Sequence, residues 1–211
     1  MKFLIQQPQW DEFYKIIIEG TDNFGWMKRT HDLILINIIL KIPKIKDVLE
    51  VGCGLGHTSE KLYEVGYSVE ALDICPLAIE KANLVKTVNS TVKFIVGDFF
   101  IHDFDKTYDL VFDRCTYHMC TEKEDAENFI NRVYSLLPVE GYWLTTILDW
   151  DKAFNLLEHH NYAENNMFDS KFFTDKFILE SSELDVILGS GDEKIYKGDI
   201  HLFKKRKLKS I

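Results

Sequence analysis

Val48-Leu49-Glu50-Val51-Gly52-Cys53-Gly54-Leu55-Gly56-His57-Thr58 is the stretch on which the reading of this chain turns. A β-rich run feeds three glycines on alternate positions, and a helical stretch follows. Glycines let the backbone turn tightly and let a ligand approach the main chain with no Cβ in the way. The spacing is G-x-G-x-G. A dinucleotide fingerprint would place its third glycine where His57 stands, and no Gly-Lys-Ser/Thr follows to make a phosphate P-loop.

Working outward, Tyr67 to Asp73 reads as the next strand, and its terminal carboxylate lies 17 residues past Gly56. A carboxylate there accepts two hydrogen bonds from the vicinal hydroxyls of a ribose. The alternative is that Asp73 caps the helix that starts at Pro76. A third strand, Val92 to Val96, leads into Gly97-Asp98-Phe99-Phe100. Asp98 suits an exocyclic amine and its aromatic neighbour a purine face; the alternative makes Asp98 a turn residue.

The rest of the chain repeats the alternation of short β-rich runs and helical stretches that marks a βαβ sheet. His57 to Val65 reads as a helix closed by Gly66, and Pro76 to Val85 as a second, with Pro76 in its first turn. Tyr108 to Asp113 is the fourth strand, Glu122 to Leu137 a long helix and Tyr142 to Leu148 the fifth strand. Phe177 to Leu188 and Ile195 to Lys204, joined by Gly189-Ser190-Gly191-Asp192, form an antiparallel hairpin. Two helices, Pro8 to Ile18 and Thr30 to Leu40, precede the sheet, with Thr30 as a cap. The whole, residues 1–211, reads as one doubly wound α/β domain: an N-terminal helical lid over 1–45 and an α/β core over 46–211.

Composition narrows the function classes. The 211 residues are 46% hydrophobic, and Lys+Arg 25 against Asp+Glu 34 leaves a net charge of −9. A broad nucleic-acid face is therefore not expected. The one basic strip, Lys204 to Lys207 with Lys209, is a solvated tail or a contact for an acidic group. The longest apolar run, Leu33 to Leu40, is far short of the ~20 residues of a membrane span, and the opening is too weakly apolar for a secretory signal. Cys53, Cys75, Cys115 and Cys120 form no C-x-x-C pair, so neither a metal nor a disulfide framework is expected, and the cytoplasm is the expected compartment.

The order VLEVGCGLG, VEALDICP, VKFIVGDFF, YDLVFDRCTYH and LLPVEGYWLTTI resembles the class I S-adenosylmethionine-dependent methyltransferases over roughly residues 45–150. The resemblance implies a seven-stranded, mostly parallel sheet with the last strand antiparallel. It implies S-adenosyl-L-methionine as cofactor, with Glu50 and the turn Gly52, Cys53, Gly54 and Gly56 facing its methionine part. It further implies Asp73 with Ile74 at the ribose, and Asp98 with Phe99 at the adenine. Trp10, Tyr14 and Trp26 are similar to the W-x-x-x-Y … W opening of the thiopurine and tellurite-resistance methyltransferases, where this region closes over cofactor and acceptor. The bland reading leaves these three as core aromatics. The same opening, with Leu62 to Tyr67, is also similar to eukaryotic protein-lysine methyltransferases. Asp113-Arg114 resembles the Asp-Arg pair of the thiopurine group, whereas Cys115-Thr116-Tyr117-His118 departs from it.

The fourth strand is expected to end at Phe112, which sets Asp113, Arg114, Tyr117 and His118 on the loop beside the donor methyl. His118, with an ordinary pKa near neutrality, is the expected base where an acceptor proton must leave. Asp113 orients the donor's methionine part or the acceptor, and Arg114 suits a carboxylate. The expected function is methyl transfer to a small-molecule acceptor. A protein lysine is the alternative acceptor, and a non-catalytic cofactor-binding module the alternative class. The segment 150–173, with His159 and His160, is expected to shape the acceptor pocket or to be a surface helix and loop.

Overall fold

The hydrophobic run of β1 (Asp47–Val51) has no polar face: Val48, Leu49 and Val51 are all essentially inaccessible to solvent. A strand of that kind needs cover on both sides, and it lies in the middle of a parallel sheet. The computed structural model of the chain describes residues 7–19, 32–120, 122–148, 168, 170–190 and 195–207. The expectations for Trp26, for the Thr30 cap and for most of the 150–173 segment, with His159 and His160, fall outside those residues.

Beside β1 come β2 (Ser68–Asp73), β3 (Lys93–Val96), β4 (Leu110–Arg114), β5 (Tyr142–Leu148), β6 (Phe177–Ser190) and β7 (Ile195–Lys205). They form one seven-stranded sheet in the order β3-β2-β1-β4-β5-β7-β6. All pairings are parallel except those of β7, which runs antiparallel to β5 and to β6. The expected sheet, with its last strand reversed, is what the chain forms.

Helices α1 (Gln7–Ile18), α2 (Asp32–Ile39), α3 (His57–Glu64), α4 (Pro76–Leu84), α5 (Lys123–Leu136) and the one-turn α6 (Lys171–Thr174) cover the faces. On one face Val48, Ala71, Leu110, Phe112 and Leu144 pack against Leu35 and Ile39 of α2 and Leu62 of α3. On the other, Leu49, Val51, Val111 and Trp143 meet Phe129, Ile130 and Val133 of α5. The 3.6-residue spacing of those α5 side chains puts them on one stripe, and each such burial contributes roughly 1.5–3 kcal/mol.

The basic strip at the end of the chain is partly structural. Lys205 donates to the carbonyls of Tyr134 and Leu137 at 2.8 and 2.6 Å, closing the C-terminus of α5. Arg206 donates to Phe177 O at 3.1 Å. A cation at a helix C-terminus satisfies carbonyls that the helix itself leaves bare. Lys205 is therefore half-buried and tied to the fold, whereas Arg206 keeps the exposure expected of a solvated strip apart from this side-chain contact.

Candidate active site

Where β1 ends, Gly52, Gly54 and Gly56 all adopt left-handed backbone, with φ of 71°, 55° and 74°. The alternate glycines are thus a conformational requirement. All three are closely approached as well, Gly54 by Tyr14 and the other two by side chains of the sheet and its loops. A Cβ on Gly56 would lie 2.5 Å from the Phe94 ring, and one on Gly52 would lie 2.1 Å from Thr116 Oγ1. The turn therefore nests between β3, α4 and the loop after β4, and delivers the chain into α3.

Asp73, at the end of β2, is buried and bound to that turn. Its Oδ2 accepts the Gly54 amide at 2.8 Å and its Oδ1 the Cys75 amide at 2.9 Å. Burial raises its pKa to about 6, against the pull of these amides. The bond to Cys75 organises the entry to α4, so the helix-start alternative holds in part, although the N-cap residue of α4, just before Pro76, is Cys75. Ile74 is half-buried beside it. Glu50 is 2% exposed and accepts the Ser59 hydroxyl of α3. Cys53 is buried, and burial pushes its thiol pKa well up.

Helix α1 lies over this edge. Tyr14 brings its hydroxyl so close to Gly54 that a Cβ there would lie 2.6 Å from it. Burial raises the phenol's pKa, Asp73, Cys53 and Cys75 raise it further, and the charge of Arg114 lowers it. Trp10 is half-buried beside Tyr14, with ring centroids 6.1 Å apart, and both pack with Ile17, Cys75 and Ala78. Cys75 Sγ is 3.0 Å from Asp11 Oδ1, a second tie between α1 and α4.

At the adenine-side loop, Asp98 Oδ1 accepts the Phe100 amide at 2.9 Å, which is a turn role. Phe99 turns inward. Its ring lies 4.8 Å from that of Phe129, and only 5% of the residue is exposed. The expected packing on a purine face is thus not where this side chain goes, because the core under α5 claims it. Arg132 of α5 donates to the carbonyls of Phe99 and His102 and holds the loop in place.

The expected loop cluster is divided. Strand β4 continues to Arg114, past the end expected at Phe112 or Asp113, so the pleat sends Asp113 and Arg114 to opposite faces. Asp113 is fully buried on the α5 face. Its Oδ2 accepts the Trp143 indole N–H at 2.9 Å, and its Oδ1 accepts the amides of Tyr117 at 2.9 Å and Thr116 at 3.2 Å. Burial holds its pKa up at about 6. Tyr117 is a core aromatic, 5.1 Å from Trp143 and 5.4 Å from Phe129. Arg114 is half-buried on the other face, where its charge reaches Tyr14.

His118 is 2% exposed, and burial lowers its pKa to about 3. The premise of an imidazole titrating near neutrality is corrected: desolvation keeps the ring neutral throughout the physiological range. Thr116, which the sequence reading passed over, donates its hydroxyl to Val51 O at 3.0 Å. Nothing in the local pattern singles it out, since its importance arises from a loop meeting a strand 65 residues away. Among the described residues no three His, Cys, Asp or Glu side chains are grouped to hold a metal ion, and no helix is long and apolar enough to cross a membrane.

Comparison with known proteins agrees with this geometry. Residues 48–141 match the family described as "Methyltransferase domain". Over 97 residues, 45% of the chain, it is 33% identical to malonyl-[acyl-carrier protein] O-methyltransferase 1 of Ilyobacter polytropus, and it spans 35% of that relative's length. In fold it is similar to the N-methyltransferase NodS of Bradyrhizobium japonicum in complex with S-adenosyl-l-homocysteine: TM-score 0.68, 18% identity, 85% of this chain and 87% of that one. It is also similar to TehB of Haemophilus influenzae: TM-score 0.64, 20% identity, 82% of this chain and 61% of that one. Sheet order, glycine turn and family match agree: residues 48–141, a little under half of the chain, are similar to a methyltransferase domain.

Proposed function

We propose that the protein moves the methyl group of S-adenosylmethionine to a small-molecule acceptor. The observation that carries this reading is the carboxyl edge of the sheet. There, three left-handed glycines with Asp73 bonded to the middle one lie beneath Tyr14. In the proposed site the turn and Glu50 face the methionine part, Asp73 and Ile74 the ribose, and the Asp98 loop the adenine. Trp10, Tyr14 and Trp26 belong to the lid over 1–45, which closes on the 46–211 core within one domain. The W-x-x-x-Y … W opening, Asp113-Arg114 and the likeness to TehB support a place near the thiopurine and tellurite-resistance group. Four free cysteines suit a reducing cytoplasm.

The acceptor's electron pair attacks the methyl carbon, and the carbon–sulfur bond breaks with its pair returning to sulfur, which leaves as a neutral thioether. Charge disperses along this path, so the protein contributes chiefly orientation and exclusion of water, worth about 7–11 kcal/mol in favourable cases. A buried imidazole with a pKa of about 3 is a poor general base at neutral pH. The reading therefore favours an acceptor atom that arrives without a proton, such as a carboxylate oxygen, with Arg114 as its electrostatic partner. The O-methyltransferase name of the Ilyobacter relative supports the same choice.

The test is transfer of labelled methyl from the cofactor into a cell extract split by size. Label in the metabolite fraction supports the proposal. Label in protein points to a lysine acceptor, and binding without transfer to a non-catalytic module.

A further inference from the structure

The peptide joining Val51 to Gly52 is fastened at both of its polar ends. Its N–H, on Gly52, donates to Leu72 O at 2.7 Å, and its carbonyl, on Val51, accepts the Thr116 hydroxyl at 3.0 Å. Thr116 is itself fixed. Its amide donates to Asp113 Oδ1 at 3.2 Å, and Asp113 is anchored to the Trp143 indole. The preceding Cys115 is held in left-handed backbone, φ 61°, with its amide turned to Thr146 O and Oγ1 of β5 at 3.2 and 3.0 Å. That unusual turn swings Thr116 back over β1. The result is a wall directly on Gly52: a Cβ at that glycine would meet Thr116 Oγ1 at 2.1 Å and its Cβ and Cγ2 at 3.2 Å.

We infer that Thr116 is a positioning residue for the amino-acid half of the bound cofactor. It acts through the Val51–Gly52 peptide, whose placement sets the first step of the glycine turn. Asp113 and Cys115 serve this arrangement by presenting Thr116. A loop that begins at the acceptor side of β4 thereby fixes the main chain on the donor side, in β1. The inference rests on the proposed placement of the methionine part at this turn, and it assigns to that placement a side chain outside the glycine pattern.

The experiment compares two probes, S-adenosylhomocysteine and methylthioadenosine, which share the nucleoside and differ in the amino-acid chain. Calorimetry on Thr116→Val, which keeps the shape and removes the hydroxyl, should show S-adenosylhomocysteine weakened about tenfold, the scale of one lost hydrogen bond and the shift it permits. Methylthioadenosine should change less than about twofold, because its contacts lie elsewhere. Thr116→Ser, which retains the hydroxyl, should restore the wild-type ratio of the two affinities. Thr116→Ala carries the same expectation as the valine variant should that one fail to fold. Equal weakening of both probes would make Thr116 a general structural residue and overturn the inference, as would no weakening of either. Wild-type protein that binds neither probe would take down the methyltransferase reading itself. Wild-type binding with an unmoved valine variant removes only the role of Thr116.

Discussion

The two buried carboxylates at the ends of β2 and β4 make an instructive pair. Both are shielded from water, and burial pushes both up to about 6. Their partners differ in kind. Asp73 accepts main-chain amides of the glycine turn and of the entry to α4, on an edge roofed by α1. Asp113 accepts an indole N–H from the middle of the aromatic core and two amides of its own loop. Ligand hydroxyls can share or replace the first set, whereas nothing replaces the second without breaching the core. In the proposed site the first carboxylate meets the ligand, while the second holds a loop.

The sharpest way to break that contrast is to remove each in turn. Asp113→Ala leaves the Trp143 indole and two amides without their acceptor in a sealed core. It should lower folding stability by about 2–4 kcal/mol, from the cost of stranded donors and a small cavity. Urea denaturation reads this directly, and wild-type stability would place Asp113 among the ligand-facing groups. Asp73→Ala should instead keep the fold and weaken S-adenosylmethionine by roughly 1.5–3 kcal/mol, the range for hydrogen bonds to a charged group. Titration calorimetry showing unchanged affinity would remove Asp73 from the site.

Acidity separates binding from stability. In the unfolded chain both aspartates ionise near 3.8, and in the folded protein near 6. Between those values the folded state holds the extra protons, so these two groups stabilise the fold as pH falls from about 6 to about 4. Cofactor affinity should move the other way over the same window, because a protonated Asp73 accepts poorly. Asp73→Asn should flatten the affinity profile between pH 7 and 5, and a slope that persists would trace to another group. Asp47 and Glu70, whose carboxyls are held low by Lys106 and by Lys93 with Tyr108, withdraw their support only at more acid pH. The smallest effect concerns His118. With the ring kept neutral by burial, His118→Gln should leave the shape of a methyl-transfer rate profile between pH 6 and 8 unchanged, and a lost inflection there would restore it as a base.

The same contrast explains what was legible beforehand. Gly52, Gly54 and Gly56 advertise left-handed backbone by their identity, and Asp73 follows at the end of the next apolar run, so the donor half can be read locally. The far half depends on where β4 stops. An end at Phe112 or at Arg114 differs by two residues, yet it decides whether Asp113 and Arg114 share a loop or face opposite sides of the sheet. The burial of His118 and the inward turn of Phe99 arise from α5 and the aromatic core, assembled from segments distant in sequence. Side-chain chemistry alone cannot foresee which aromatic the core will claim.

The contact between Cys75 and Asp11 carries a consequence for watching the protein at work. The sulfur is fully covered, its thiol pKa is raised to about 11, and the covering carboxylate belongs to α1. An alkylating reagent needs both access and a thiolate, and α1 denies both while it is seated. The labelling half-life of this one thiol is therefore a clock for the departures of α1, readable by mass spectrometry with no substrate in hand.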